Sequence, residues 1–521
     1  MAVAVAVPSP ITSTIMARTS SSIAAVLVAS TLVYLWRRWR RAYAIDLSSH
    51  STDATACEPS RAHPALPLIN CRKSRVSRHV ANRDALRGHL ARYVGEEHAR
   101  ALLEAMQRPP LLTALRVNTL AESRAVIIAN LCALPGMAQE HISVHPVLSD
   151  VITLPVRKSR TTASRCRNIV VVSRECGEAV LRGADVFAAG VRGCSASLTA
   201  GERATVIFAD PSMRDEPALG VKSIDDSQPG WVRCGSGIAV LGRRDLFPPS
   251  HHAVNQQAGL REAGLAVRLD EPAYASPCFH GIMPSLLFLQ NVPSALVAHA
   301  LGPIAGERVL DMCAAPGGKA THCAALMGGQ RGSVVAMDRS ARRLKAVGEL
   351  AERLGLANAI ECVCLDATVA HERDKEGRER LAIASFDRVL LDPPCSALGV
   401  RPRFGVEASL EHLDGCAAYQ RRLFAAAVAL LKPGGVLTYS TCTTNPAENE
   451  EVVAHALRSF PSLHLEAPEP RLVLGGPGWP HCGLSERERA ACQRWDPSIP
   501  SGEDHIGFFL ARFRLAAPAE Q

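Results

Sequence analysis

A chain of 521 residues that is 47% hydrophobic is too long for one ordinary domain and has apolar mass for two or three cores, so a globular, multidomain protein is expected. Its 58 Lys+Arg against 50 Asp+Glu give a formal net charge of +8, a mild excess that suits a polyanionic partner without identifying one. The 17 cysteines are odd in number, scattered and never spaced as C-x-x-C, which argues against structural zinc and a secreted disulfide scaffold and fits reduced, mostly buried thiols.

Residues 1–78 read as a leader. No acidic residue occurs from Met1 to Ala44, and the uncharged stretch Thr19 to Trp36 runs straight into "RRWRR", Arg37 to Arg41. This hydrophobic and basic segment, 19–41, is open to three readings: a short signal anchor, an organelle-targeting peptide, or an artefact of the assigned start. It is barely long enough for a bilayer, which takes about 20 residues. Its trailing arginines would hold the remainder on the cytoplasmic side. The expected location is cytoplasmic or cytoplasm-facing under the first reading and a mitochondrion or other organelle under the second. Membrane or import contacts would run through this segment. Asp46 to Arg78 is rich in Ser, Pro and Arg without periodicity and reads as linker.

Order is expected from His79. Across residues 79–146, Leu86, Leu90, Val94, Leu102 and Met106 recur at helical spacing up to Pro109 and Pro110, and the strand "LTALRVNTL" follows. Residues 147–247 switch to short β-branched runs between glycines: "NIVVVSRECGEAVLRGADVFAAGVRG", "ERATVIFAD" and "GWVRCGSGIAVLG". These predict a small β-barrel with a polar hairpin loop from Pro211 to Pro229. Over 248–515 strands alternate with helices, the pattern of an α/β, Rossmann-like parallel sheet.

"GERVLDMCAAPGGKATHCAALM", Gly306 to Met327, is an apolar strand, a small-residue turn and a helix. Glycines there permit close backbone approach and the helix start offers free N–H groups to a nucleotide-bearing ligand. The fingerprint G-x-G-x-x-G is absent. The phosphate loop fails too, with Cys313 at its first glycine and Ala320 at its hydroxyl. What remains is a small, zwitterionic, adenosine-containing ligand. "GSVVAMD" ends in Asp338, whose carboxylate can accept from both hydroxyls of a ribose, and "AIECVCLDA" ends in Asp366, placed to meet an adenine. Singly, each acid is more often a helix cap or a solvated loop residue. Successive strands ending in polar groups on one sheet edge favour S-adenosylmethionine and a class I methyltransferase core.

The fourth strand, "FDRVLLDPPCSALG", ends in Asp392 and presents Cys395, where amine methyltransferases usually place an aromatic. The fifth, in "GGVLTYSTCTTNPAENEE", ends in Cys442. In this sheet order the two strands are neighbours, so both thiols project over the ligand crevice. A lone buried cysteine is usually inert, whereas carbon 5 of cytosine needs a thiol: addition of a thiolate at carbon 6 makes an enamine that can take a methyl group. One cysteine must attack, and the second could assist loss of the C5 proton and release. Asp392, protonated or sharing a proton, would act at N3 of the base, oriented by Lys319.

"DMCAAPGGK", "DPPCSALG" and "YSTCT", with "LRVNTL" and "LQNVPSALVAHALGPIAGERVLDMC", resemble the motifs of the Nol/Nop/Sun RNA cytosine-5 methyltransferases over roughly Leu115 to Phe513. The resemblance implies that Cys442 is the nucleophile, that Cys395 resolves the adduct, and that Asp392 and Lys319 act at the base. It also implies that Cys313, Ala314, Ala315, Pro316, Gly317, Gly318, Lys319, Asp338, Arg343, Asp366 and Asp392 hold the cofactor, with no metal. Ala397 departs from the family, which often has glycine there, and tightens the turn. The segment 147–247 resembles a PUA domain, an RNA-binding barrel, and a PUA domain beside such a core is similar to the family's tRNA branch. That implies a tRNA acceptor stem as partner, with the barrel gripping the CCA end. Arg401 and Arg403 are candidates for phosphate contacts. With five Trp and six Tyr, no large aromatic stacking platform is expected. Competing readings are an rRNA cytosine-5 methyltransferase, an amine or small-molecule methyltransferase, and an RNA-binding protein with an inactive methyltransferase fold.

Overall fold

The computed structural model describes residues 75–517 except 135–140, 160–165, 249–263, 277–278, 280, 375, 378–379, 473–474 and 500–503. The segment 19–41 falls outside the described residues. Among those described, no helix is long and apolar enough to cross a membrane.

Two helices, Arg75–Val94 and Glu96–Ala105, meet at Gly95, whose φ of 83° makes the bend. Helical order therefore begins slightly before His79. Leu86, Leu90, Leu102 and Met106 form the predicted apolar stripe, and it packs on Leu398 and Trp479 of the catalytic half. An antiparallel sheet follows in the order Leu287–Leu289, Leu112–Val117, Val151–Pro155, Ser143–Val144.

A second sheet has six strands, in the order Val186–Phe187, Leu265–Pro272, Trp231–Ala239, Arg203–Ala209, Asn168–Val172, Val191–Cys194. Its one parallel pair joins Asn168–Val172 to Arg203–Ala209. The predicted boundaries 147–247 and the expectation of alternating strands and helices from residue 248 need correction at both ends. Val151–Pro155 leaves this sheet to pair with Leu112–Val117. Leu265–Pro272 joins it, antiparallel to Trp231–Ala239. The reason is burial: Ala266 and Val267 complete a core with Val170, Val206 and Phe208, and full burial of a valine side chain contributes about 1.5 kcal/mol or more. Phe404, from the catalytic half, closes the same core with its ring 5.0 Å from that of Phe208.

The catalytic sheet is ordered Ile360–Cys364, Val334–Asp338, Val309–Asp311, Phe386–Leu391, Leu431–Thr441, Phe508–Leu515, Leu463–Glu466. The first five run parallel, and Phe508–Leu515 is antiparallel to both its neighbours. Reversal of order at the first strand opens a crevice at the carboxyl ends, where a ligand binds in such sheets. The helix Leu410–Leu430, capped by Ser409, whose hydroxyl accepts from the His412 N–H at 3.3 Å, feeds directly into the fifth strand. Asp311, Asp338, Asp392 and Cys442 all stand at or just beyond carboxyl ends on this edge.

Candidate active site

The turn after the first strand is held by backbone. Ala314 donates its N–H to Met337 O at 2.8 Å, and Gly317 to Ala314 O at 2.6 Å. Gly317 has φ 105°, and a Cβ on Gly318 would sit 2.9 Å from the Phe288 ring, so neither position accepts a side chain cheaply. The residues Cys313 to Lys319 thus present a tight backbone cradle opening onto the helix Gly318–Leu326. The Cys313 thiol is itself pushed far up by burial, with Asp311 adding to the shift, and is not a nucleophile.

Asp338 accepts from the Ser340 N–H at 2.9 Å and lies 3.4 Å from the Arg343 guanidinium, which also donates to Ala315 O at 2.9 Å. Arg343 therefore ties the acid to the cradle. Asp366 caps a short 3-10 turn through Oδ1, taking the N–H and hydroxyl of Thr368 at 2.9 and 2.8 Å, which leaves Oδ2 for a ligand. Asp338 and Asp366, at the ends of neighbouring strands beside a small-residue turn, form an acceptor set that fits S-adenosylmethionine: acceptors for ribose hydroxyls and exocyclic amine, and a cradle into which a Cβ would intrude.

At the reaction end, the Lys319 ammonium donates to Asp392 Oδ2 at 2.6 Å and the Ser440 hydroxyl to Oδ1 at 2.7 Å. Cys395 Sγ and Cys442 Sγ are 3.5 Å apart. The hydrogen bond from Cys395 pulls the Cys442 thiol down against the opposing effect of burial, with the Lys319 charge helping. The same bond, with burial and the charges of Cys442 and Glu448, pushes Cys395 well up. The pair is polarised: of the two thiols, Cys442 is the one that ionises more readily. Such a site can add sulfur to an electron-poor ring while an ammonium–carboxylate pair meets the charge that develops on it.

Residues outside the predicted set support this one. Arg116, from "LRVNTL", donates to Gly318 O at 2.6 Å and to the Thr321 hydroxyl at 2.9 Å. Asp150 accepts from His299 at 2.8 Å and His322 at 2.6 Å. The antiparallel sheet is thereby fastened to the helix that begins at the cradle. Asp150, His299 and His322 lie close enough together to hold a cation, but both spacings are those of hydrogen bonds. Asp311 was readable as another acid at a strand end; burial pushes its carboxyl up to about 7, with Asp392 adding and Lys319 opposing.

Arg401 and Arg403 require correction. Arg401 is 3% exposed and donates to Ala105 O at 2.9 Å, to His505 O at 2.8 Å and to Asp504. Arg403 donates to Ser396 O at 3.1 Å and Ala397 O at 2.5 Å. Arg403 braces the loop that follows Cys395 from within, and Arg401 ties that loop to the segments of Ala105 and His505, since a guanidinium supplies several donors at once. Ala397 has φ 54°, so the turn expected to be tight at this departure from glycine is in the left-handed region.

Residues 298–514 match a family model described as 16S rRNA methyltransferase RsmB/F. Over 81% of its length the chain is 39% identical to the human protein named tRNA (cytosine(72)-C(5))-methyltransferase NSUN6, covering 92% of it. The mouse protein of the same name is 38% identical, with 91% covered. The chain belongs to the Nol/Nop/Sun family of RNA cytosine-5 methyltransferases.

A crystal structure of NSun6 from Pyrococcus horikoshii with SFG, an S-adenosylmethionine analogue, superimposes with TM-score 0.66 at 28% identity, over 83% of this chain and 97% of that one. S-adenosylmethionine is the methyl donor of this Nol/Nop/Sun enzyme, and the α/β class I methyltransferase fold is common to both. The amine or small-molecule reading is set aside by this membership, as the two thiols had already suggested.

Proposed function

We propose that the protein methylates carbon 5 of a cytosine in the acceptor stem of tRNA, at position 72 as its mammalian relatives are named for, through a covalent adduct to Cys442. The observation that carries this reading is the pair of thiols 3.5 Å apart beside the Lys319–Asp392 pair, since amine methylation needs no sulfur.

The Cys442 thiolate adds to carbon 6, and charge moves toward N3 and O2 of the ring, where the proton shared by Lys319 and Asp392 meets it. Bound S-adenosylmethionine supplies an electrophilic methyl group to carbon 5. Cys313 to Lys319 would hold its methionine end, and Asp338, steadied by Arg343, and Asp366 would hold its ribose and adenine. Carbon 5 must then lose its proton, and the electron pair that held it re-forms the C5–C6 double bond as the Cys442 sulfur leaves. Cys395 gives its proton to the departing Cys442 sulfur, the Cys395 thiolate so formed takes the C5 proton directly or through a water, and the surplus proton passes to solvent when Cys442 ionises again.

The six-stranded sheet is read as the PUA-like, RNA-binding domain, recognising the shape and single-stranded end of tRNA rather than stacking bases on aromatics. Its core is continuous with Phe404, nine residues after the resolving thiol at Cys395, so the loop that carries this thiol also touches the sheet. Incubating the full chain with labelled S-adenosylmethionine and tRNA transcripts carrying C or U at position 72, with rRNA in parallel, tests the reading. Label in the C72 transcript alone is expected. Label only in rRNA overturns the tRNA assignment, and label that survives Cys442→Ala overturns the covalent mechanism.

A further inference from the structure

Glu448 lies in the acidic run "NPAENEE" and is fully buried, yet no cation is among its hydrogen-bond partners. Burying a carboxylate without a counterion is costly unless donors fill its lone pairs. Four do. Oε2 accepts from the Ser396 N–H at 2.9 Å and the Gln420 amide at 3.0 Å, and Oε1 from the Ser396 hydroxyl at 2.5 Å and the Asn445 amide at 3.0 Å.

Two of those donors belong to the residue after Cys395, and a third reaches the residue before it: the other N–H of the Gln420 amide donates to Pro394 O at 3.0 Å. Tyr439 steadies this amide by donating to Gln420 Oε1 at 3.1 Å. The peptide groups on both sides of Cys395 are therefore anchored to one carboxylate. The next residue, Asn449, grips the other thiol's turn, accepting from the Thr441 hydroxyl at 2.5 Å and donating to Thr443 O at 3.0 Å.

We propose that Glu448 is a positioning residue for the resolving step, clamping the Cys395 peptide so that its thiol stays within reach of Cys442 when the methylated adduct must break down. This rests on the cytosine-5 reading above and adds to it a residue that acts through Cys395 rather than on substrate. The negative charge also helps keep Cys395 a thiol and so preserves the division of labour in the pair. A glutamine at 448 has an NH2 in place of one acceptor oxygen, aimed at groups that are themselves donors. The Cys395 loop, anchored on both sides of its thiol, must then move, while the Cys442 turn is disturbed only at Asn445 and keeps its bonds to Asn449.

The test uses the full chain and a C72 tRNA transcript, measuring single-turnover methyl transfer, multiple turnover, and covalent protein–RNA complex that survives denaturant. Glu448→Gln is expected to keep single-turnover transfer within about threefold, to lose about tenfold or more in kcat, and to accumulate methylated adduct, the outcome also expected of Cys395→Ala. Ser396→Ala, which deletes one of the four donors and leaves the backbone bond, is a milder variant should Glu448→Gln fold poorly, and is expected to show the same pattern at smaller amplitude. Parallel losses in single and multiple turnover, with no adduct in either variant while Cys395→Ala accumulates it, would overturn the proposal and leave Glu448 a structural residue. If Cys395→Ala itself yields no adduct, the resolving reading fails at its root and the proposal falls with it. Those two failures are distinguished by that single control.

Discussion

Cys442 Sγ lies 3.5 Å from Cys395 Sγ, across the ends of neighbouring parallel strands, and the hydrogen bond between them favours the thiolate on Cys442. Cys442→Ala is expected to lose roughly three orders of magnitude or more in methyl transfer, the scale on which removal of a covalent nucleophile acts. Cys395→Ala is expected to trap adduct instead. Because the bond from Cys395 lowers the Cys442 pKa, deleting it raises that pKa, so the single-turnover rate of Cys395→Ala shifts to higher pH. Cys395→Ser, which keeps a donor, should shift less. A rate–pH profile unmoved by Cys395→Ala would remove the polarised pair from the mechanism.

Lys319 and Asp392 form a pair at 2.6 Å in which neither side chain is more than a third exposed. Taking away one partner leaves the other charge uncompensated, a loss of about 3 kcal/mol in a buried setting. Asp392→Asn is expected to slow methylation about 10²–10⁴-fold, the range for general acid–base groups. Lys319→Met should destabilise the fold by the amount just given and slow the enzyme comparably. The double variant should cost much less than the sum, since the two residues act as one unit. Denaturant melts and steady-state rates on the three variants check this, and simple additivity would mean that the contact is incidental.

Gly399 donates its N–H to Cys442 O at 2.9 Å and accepts from the Gly507 N–H at 2.9 Å. It therefore ties the Cys395 loop to the Cys442 turn and to the segment that precedes the last strand. A Cβ on Gly399 would lie 2.0 Å from Gly507 O, backbone that cannot yield without breaking this tie. Gly399→Ala is expected to cost about 3 kcal/mol and most of the activity. Gly348→Ala is the control. In the helix Ala341–Arg353 with open space at its Cβ, it should stabilise by about 0.5–1 kcal/mol. Thermal melts of both decide the matter.

The legible parts of the sequence were those where chemistry and punctuation coincide. A strand that stops at an acid before a turn is visible in letters, so Asp338, Asp366 and Asp392 could be placed on one edge before any coordinates. Two thiols at strand ends had few bland explanations. Leu265–Pro272 was misassigned because a strand returning to an inserted sheet has the same local pattern as one entering a parallel sheet, and only tertiary burial of Ala266 and Val267 separates them. Arg401 was misread because a guanidinium has the same letter whether it meets phosphate or, buried, the carbonyls of Ala105 and His505, and in half-buried Arg403 one guanidinium nitrogen is spent on its own loop. Glu448 was invisible: in "NPAENEE" it reads as one acid of a solvated run, and its burial depends on Ser396 and Gln420, far away in sequence.

Acid stability follows from two buried groups that pull in opposite directions. Burial, with the Arg116 charge, lowers His322 from 6.5 to about 4 despite its bond to Asp150. The unfolded chain therefore binds a proton at this site between about pH 6.5 and 4 that the folded chain does not, so stability rises with pH across that window. Its contribution is full above 6.5 and on the order of 3 kcal/mol, at about 1.4 kcal/mol per pH unit. Asp150 acts in the same sense at lower pH: burial opposes ionisation, but its histidine bonds hold the carboxyl well below the usual range. Asp311 has the opposite sign. Raised from 3.8 to about 7 by burial first and Asp392 second, it favours the folded state in acid, and that contribution is lost as pH rises from 3.8 through 7. His322→Gln keeps an N–H for Asp150 without titrating. It should flatten the fall in stability between pH 6.5 and 4 while leaving neutral pH within about 1 kcal/mol. Asp311→Asn should raise stability at pH 8 more than at pH 5. Urea melts of both variants from pH 4 to 8 measure these slopes, and a wild-type curve with no dependence on either residue would place both titrations elsewhere.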